Sequence, residues 1–393
     1  MARELGITLY LFVFRVFFNL FKRLPQKKKT VCVASFGDNI FYAVRELQKR
    51  SNEEIIILKD KSCRFDFDAL HVKSISFAIK HPFAFLLSIY HLATSTTIMI
   101  DTYYGFLDVT RFRKNARCIQ LWHAAGALKQ FGLQDPSIAE RSQRAKNRFQ
   151  NVYSRFDYTV VGSDEMAATF KRCFGLTEDR IVRTGVPRTD IFFDDHEKQR
   201  ILYDLKQDLQ AIGDRKIILY APTFRKGELD HFQLALDIHM MYQSLANEYV
   251  LFIKPHPAVS YSIEDSYKDF VFDVSKYSDT NHLLLITDIL ITDYSSIPFE
   301  YALLEKPMIF FAYDLEKYKL SNGLIDDYEN QMPGPVVSTT EEIVDAIHHN
   351  KFDYNKIHEF SEQWNTYSNG ESSKQLAAFL TDTEKKPKEK VLV

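Results

Sequence analysis

Short, continuously apolar runs recur along the chain, each followed by a stretch long enough for a helix. The first half holds TVCVAS (30–35), IIIL (55–58), TTIMID (96–101), CIQLW (118–122), YTVVGS (158–163) and IVRTG (181–185). The second half holds KIILY (216–220), YVLFIK (249–254), DILIT (288–292) and PMIFFA (307–312). Val, Ile and Leu without polar alternation imply burial on both faces, which is the pattern of parallel strands between helices. There are too many runs for one ordinary sheet, and a polar helical stretch around 194–213 divides them. The expected fold is α/β, with two Rossmann-like, doubly wound domains facing each other across a cleft. The bounds read as 1–29 for an amphipathic membrane-associating segment, 30–195 and 196–380 for the two domains, and 381–393 for a polar tail. A chain of 393 residues suits two such cores.

Candidate polar groups gather where these strands end, and in open parallel sheets ligands bind there. His123 follows CIQLW, in WHAAGALK. ITDYSSIPFE places Ser295 and Ser296 before a helix with Pro298 in its first turn, where free N–H groups welcome an anion. The functional reading is a diphosphate cradle, with Glu300 one turn on to accept from ribose hydroxyls; the alternative is ordinary capping by serine. FIKPHPAV sets His256 between Pro255 and Pro257, with Lys254 at the strand end to offset phosphate charge. APTFR supplies Thr223 and Arg225 for phosphate oxygens. GVPRTD supplies Arg188, for which pairing with Asp190 is the plain alternative. No HxxxH, no zinc pattern and no GxxxxGK[ST] loop is present, VGSDE lacks the second glycine of a nucleophile elbow, and Asp66-Phe67-Asp68 reads as solvated acids.

The N-terminus carries seven Lys/Arg and one Glu in its first 30 residues. Glu4, Thr8, Arg15, Asn19 and Lys22 share one face of a helix whose remainder is Leu, Phe and Val. Such a helix either lies in a membrane interface, backed by Lys27, Lys28 and Lys29, or packs on the protein's own core. A second basic stripe, Arg141, Arg144, Arg148 and Arg155, would meet lipid head groups, an acceptor's diphosphate, or solvent. A net charge of −2 gives no global field for nucleic acid. Four scattered cysteines without a CxxC pair fit reduced thiols.

Taken together, LWHAAGALKQFG, VVGSDEMAATFK, GVPRTD, ILYAPTFR, KPHP, ITDYSSIPFE, FFAYDLEKY and YSNGESSKQL resemble the CDP-glycerol glycerophosphotransferases of Gram-positive wall teichoic acid synthesis. The resemblance spans about residues 30 to 380. Polymerising members usually read Trp-His-Gly-Thr-Pro at the first histidine; WHAAG here looks more like the priming members, and the lack of an appended N-terminal domain agrees. The resemblance implies a GT-B arrangement, peripheral on the cytoplasmic face of the membrane. It implies CDP-glycerol as donor and an undecaprenyl-diphosphate-linked disaccharide as acceptor. It also implies a donor site of Trp122, His123, Ala124, Ala125, Gly126, Arg188, Pro222, Thr223, Arg225, Lys254, Pro255, His256, Ser295, Ser296 and Glu300. Lys129, Arg141, Arg144 and Arg148 would face acceptor or lipid. No cofactor is implied, and a loosely bound Mg²⁺ stays open. His123 is expected to be the general base, because it lies in the membrane-side domain, and His256 to serve the donor's phosphates. A polymerising glycerol- or ribitol-phosphate transferase and a nucleotide-sugar GT-B glycosyltransferase are the alternative functions.

Overall fold

The computed structural model describes residues 2–208, 212–223, 225, 234–255, 259 and 263–382. Its strands form two all-parallel sheets. The first contains β1 (Lys29–Ala34), β2 (Glu54–Lys59), β3 (Lys73–Ser76), β4 (Thr97–Ile100), β5 (Arg117–Gln120), β6 (Tyr158–Val160) and β7 (Ile181–Val182), in the order β3-β2-β1-β4-β5-β6-β7. The second contains β8 (Lys216–Ala221), β9 (Tyr249–Ile253), β10 (Val271–Asp273), β11 (Ile289–Thr292), β12 (Met308–Phe311) and β13 (Val336–Val337), in the order β10-β9-β8-β11-β12-β13. Each sheet has the doubly wound order, with its topological switch between β1 and β4 or between β8 and β11. All the apolar runs became strands because each is buried on both faces; β1 and β4 are buried at every position. Three strands had no such run. β3, β10 and β13 are short edge strands, so they need no continuous apolar sequence.

The chain divides into two compact units. The first comprises Met1–His123, Phe131–Asp190 and the segment from Tyr367 onward; the second comprises Ala124–Gln130 and Ile191–Thr366. The sequence reading drew the second domain on to residue 380. The helix Ser372–Thr381 instead places Leu376, Ala377 and Leu380 in the first unit's core, against Ile40, Ala43, Val44 and Leu47 of helix Asp38–Arg50. Asp190 fastens that helix, accepting from the Ser372 and Ser373 N–H groups at 2.9 and 2.7 Å. This employs Asp190 at a helix start, so Arg188 has a different partner.

The N-terminal helix Ala2–Phe21 packs one apolar face on the core and leaves another exposed. Leu11, Phe14 and Phe18 are buried, and the Phe14 ring meets Phe106 at 5.0 Å and Phe85 at 5.9 Å. Leu5, Leu9, Phe12, Val16 and Leu20 are exposed, and so are Ile79, Phe83 and Leu87 near helix Pro82–Thr94. The segment Glu4–Phe21 is long and apolar enough to cross a bilayer by length and composition. Its packed face joins it instead to the first unit's core.

One lysine of the expected cluster is not available to a membrane surface, while Lys27 and Lys28 stay exposed. Lys29 opens β1 and is fully buried, with Nζ 3.0 Å from His91 Nδ1 and 4.8 Å above the Tyr90 ring. Burial lowers its pKa to about 8. Lys28 pairs with Glu53 at 3.0 Å. Register decided this: β1 starts one residue earlier than the apolar run, and so takes Lys29 into the sheet.

Candidate active site

In the first unit the switch point is built around Asp101, just past β4. Its buried carboxylate accepts from the backbone N–H groups of Ser35, Phe36 and Gly37 at 2.9–3.1 Å, and from Tyr104 Oη at 2.8 Å. Burial pushes its pKa up to about 6 while these donors pull it down, so it is an anion at neutral pH. Gly37 has φ 99°, and a Cβ there would meet the Phe65 side chain at 2.6 Å, so glycine is required. The loop after β1 is thus folded over a carboxylate rather than left open.

His123 sits on this loop. β5 ends at Gln120, not at Trp122 as the run CIQLW suggested, and Trp122 takes φ 62°, a left-handed turn unusual for a bulky residue. Gln120 Oε1 accepts from Trp122 N–H at 2.8 Å, and Trp122 C=O accepts from Asn39 Nδ2 at 3.0 Å, which hold the turn. His123 then stacks on Phe36, centroids 4.1 Å apart and rings inclined by 7°, with Trp122 at 4.3 Å on its other contact. His123 Nδ1 lies 3.1 Å from the Asp101 carbonyl oxygen. A carbonyl only accepts, so Nδ1 carries the proton and Nε2 keeps its lone pair. Burial lowers the pKa to about 4, the Asp101 carbonyl acts against this, and Arg188 adds to it. The ring is therefore neutral, fixed in one tautomer and in one plane. Nearby, Arg188 Nη1 pairs with Asp38 at 2.6 Å and its N–H donates to Asn39 Oδ1 at 3.0 Å.

The second unit has a cluster at the corresponding strand ends. Asp293, just past β11, accepts from the Thr223 and Tyr294 N–H groups at 2.8 and 2.6 Å. Arg225 pairs with Asp293 at 2.9 Å and with both oxygens of Asp314 at 2.9 Å, above the rings of Tyr318 (4.8 Å) and Tyr294 (5.0 Å). Lys129 lies 5.4 Å from the Tyr318 ring centroid; burial lowers its pKa to about 8, with Asp293 opposing that shift. Two cations and two carboxylates thus balance. Arg225 is not a bare phosphate ligand, because two carboxylates already engage it. Lys129 belongs to this cluster, because Leu128, Lys129 and Gln130 pair with Gly323, Leu324 and Ile325.

The serine pair divides. Thr292 Oγ1 donates to the Ala221 carbonyl at 2.7 Å, so the 3.0 Å contact between Thr292 and Ser295 uses the Ser295 proton. Ser295 Oγ also accepts from Ile297 N–H at 3.2 Å. Its hydroxyl is committed to the turn. Ser296 makes no capping bond. The following helix, Ile297–Tyr301, is a single turn, so its dipole is small. Glu300 is buried, and its Oε1 accepts from Ala125 N–H at 3.3 Å. A Cβ on Gly126 would strike the Phe299 ring at 2.3 Å. Ala125 and Gly126 therefore pack the helix, while Ala124 remains half-buried. Thr223 Oγ1 is buried without a hydrogen-bond partner among the described residues. Pro222 is half-buried beside it, and Lys254 Nζ donates to the Tyr277 carbonyl at 2.8 Å, its pKa lowered to about 8 by burial. Pro255 is buried; His256 lies outside the described residues.

The 141–155 stripe is shorter than expected. The helix is Gln143–Tyr153, capped by Ser142, so Arg141 precedes it and Arg155 follows it. Arg141 lies 5.0 Å from the Phe149 ring and donates to Ser137 Oγ at 3.2 Å. Arg144 and Arg148 share the helix face. Among the described residues no group of three or more His, Cys, Asp or Glu is placed to hold a metal ion. Asp101, Asp38, Asp293 and Asp314 went unassigned in the sequence reading; Asp101 closes the run TTIMID, Asp293 and Asp314 lie within ITDYSSIPFE and FFAYDLEKY, and Asp38 follows TVCVAS by three residues, so position near a strand end was the available signal.

The sequence matches the CDP-Glycerol:Poly(glycerophosphate) glycerophosphotransferase family over residues 16–382. The chain belongs to this family. It is a transferase with a GT-B-like fold: the wall teichoic acid polymerase TagF matches with a TM-score of 0.79 over 97% of both chains, at 23% identity. The teichoic acid glycerol-phosphate primase of Bacillus subtilis (strain 168) is 41% identical over 302 residues, 77% of each chain. The primase of Bacillus spizizenii (strain ATCC 23059 / NRRL B-14472 / W23) is 36% identical over 357 residues, 89% of this chain and 91% of the relative. The poly(ribitol-phosphate) polymerase of the same organism is 35% identical over 91% of this chain and 56% of the relative. The strand-end groups form two clusters: one presents a neutral imidazole, and the other holds the Thr223 hydroxyl, without a hydrogen-bond partner among the described residues, beside a balanced set of charges.

Proposed function

We propose that this glycerophosphotransferase performs the priming step of teichoic acid linkage synthesis. It transfers glycerol phosphate from CDP-glycerol to a sugar hydroxyl of an undecaprenyl-diphosphate-linked disaccharide, N-acetylmannosaminyl-N-acetylglucosamine, and releases CMP. The observation that carries this is the 41% identity to a glycerol-phosphate primase, against 35% for the polymerase; the residues WHAAG at 122–126 agree.

The acceptor oxygen attacks the phosphorus bearing glycerol, a P–O bond forms, and the bond to CMP breaks. His123 Nε2 takes the hydroxyl proton. Its low pKa keeps it unprotonated, and the donor's negative charge raises its basicity once bound. Arg188, Lys254, Ser296 and Thr223 hold the phosphate oxygens, and His256 is assigned to the same task. Positioning and neutralisation dominate such a transfer. Incubation with CDP-glycerol and the lipid-linked disaccharide tests the reading. One glycerol phosphate added per acceptor is expected. Many would make it a polymerase, and consumption of a nucleotide sugar would make it a glycosyltransferase.

The hydroxyls give a finer prediction. Ser296→Ala should weaken CDP-glycerol binding by about 1 kcal/mol with stability unchanged, since its hydroxyl makes no capping bond. Ser295→Ala should instead lower stability by about 1 kcal/mol through the lost turn. Titration calorimetry and urea unfolding separate the two.

The exposed apolar face of the N-terminal helix would seat the enzyme peripherally on the cytoplasmic side of the membrane. Deleting the helix would strip Phe14 and Phe18 from the core, so substitution of its outer face is the cleaner test. Leu9→Ser, Phe12→Ser and Val16→Ser together should cut vesicle partitioning ~10-fold or more, each losing on the order of 1 kcal/mol of apolar transfer. Unchanged partitioning would remove the helix from membrane attachment.

A further inference from the structure

The polar face of the N-terminal helix opens into a concavity, with Thr8, Arg15, Asn19 and Lys22 lining it. That face forms one wall of a groove of about 690 Å³ whose other wall is the helix Gln143–Tyr153 and the residues around Asp108 and Arg111. Five cations line it: Arg15, Lys22, Arg111, Arg144 and Arg148. The only lining carboxylate is Asp108, which accepts from Asn151 Nδ2 at 2.8 Å. Arg148 is tied to Glu4 at 3.5 Å, and Lys22 Nζ donates to the Arg111 carbonyl at 2.6 Å. Arg15, Arg111 and Arg144 are exposed and have no ion-pair partner among the described residues. Folding has therefore gathered five cations into one concavity, against which Asp108 and Glu4 supply two carboxylates.

The groove has an apolar rim. Phe12 lines it while its ring is 63% exposed, and Leu5, Leu9, Val16 and Leu20 continue that exposed ridge along the same helix. Phe83 and Ile79 extend the apolar surface. A ligand fitting both features carries concentrated negative charge beside a long hydrocarbon. Guanidinium groups match phosphate oxygens in pairs, which favours a phosphate group over a carboxylate or a diffuse charge.

We infer that this groove is a binding site for the diphosphate of a membrane-embedded lipid, with the outer face of the N-terminal helix inserted beside the lipid's chain. The inference rests on the reading of the acceptor as a lipid diphosphate and assigns that group its place: arginine pairs from the groove hold the diphosphate. Arg141 and Lys129 are not part of it.

The test is a binding measurement on the full chain, independent of turnover. Zwitterionic vesicles carrying a small fraction of undecaprenyl diphosphate are compared with vesicles matched in charge by phosphatidylglycerol. Wild-type protein should bind the diphosphate vesicles about 10-fold or more tightly, because paired guanidinium donors fit the clustered oxygens of one diphosphate, which dispersed single phosphates of equal total charge do not offer. Arg111→Gln with Arg144→Gln should remove that preference while leaving the apolar partitioning to neutral vesicles. Arg111→Lys with Arg144→Lys keeps the charge but loses the paired donors, and should remove part of the preference. Equal binding of wild type to both vesicle types would overturn the proposal and leave a general anionic surface; so would lysine variants indistinguishable from wild type. A wild type that prefers diphosphate vesicles yet adds no glycerol phosphate to the lipid-linked disaccharide would sink the priming function and leave the groove standing.

Discussion

His123→Ala should lower kcat for CMP release by about 10²–10⁴-fold while leaving CDP-glycerol affinity nearly intact. The expectation comes from three constraints on one ring. The Asp101 carbonyl at 3.1 Å sets the tautomer, Phe36 at 4.1 Å sets the plane, and burial keeps the imidazole neutral with a pKa of about 4. A residue so fixed presents Nε2 in one direction, and its loss removes a proton acceptor needed only as the transition state forms. His256→Ala should impair donor binding and turnover together, since a phosphate contact acts in both states. Purified variants, titrated with CDP-glycerol at saturating acceptor, make the comparison. A His123→Ala enzyme at the wild-type rate would reject the assignment, and exchanged phenotypes would exchange the roles. The same ring gives a pH signature. Its folded pKa lies below the unfolded value near 6.5, so its contribution to stability is present above pH 6.5 and is lost as pH falls toward 4. Asp101, raised to about 6, works in the opposite sense, losing stability as pH rises from about 4 to 6. Urea unfolding of His123→Asn beside wild type isolates the histidine's part.

Arg225→Met should destabilise the second unit by ~3–5 kcal/mol. The guanidinium is nearly buried, 10% exposed, between Asp293 at 2% and Asp314 at 16%. Removing it leaves two carboxylates whose desolvation is no longer offset by a paired cation, although Lys129 still interacts with Asp293. Adding Asp293→Asn and Asp314→Asn to Arg225→Met should recover a large part of the loss, because the uncompensated charges go with their partner. Chemical denaturation followed by the tyrosine and tryptophan signal reads both. A loss under about 1 kcal/mol would mean the cluster is screened as a surface pair is. The result bears on function as well, since it separates a residue that builds the site from one that binds the donor directly.

The sequence by itself determined the fold class and the location of the chemistry. Runs such as TVCVAS and DILIT are short, unbroken by polar residues and separated by helix-length stretches, a combination that points to doubly buried parallel strands, whose carboxyl ends are where ligands bind. The short edge strands β3, β10 and β13 were not legible, since a strand open on one side needs no uninterrupted apolar run. The local roles were decided by tertiary structure. Whether Lys29 met lipid or a buried histidine depended on register by one residue. Ser295 and Ser296 look alike in sequence, but the Ala221 carbonyl, 71 residues before Thr292, sets the proton of Thr292 and hence that of Ser295. Arg225 read as a phosphate ligand because Asp314, 89 residues distant, gives no sign of its position until β11 and β12 are adjacent. The N-terminal helix shows the same limit: periodicity gave its polar and apolar faces, while only the packing of Phe14 and Phe18 told which apolar residues face the core and which remain outside. Strand pattern is a local property of side-chain burial and can be read along the chain; charge pairing and proton placement depend on distances between segments, which the chain acquires only on folding.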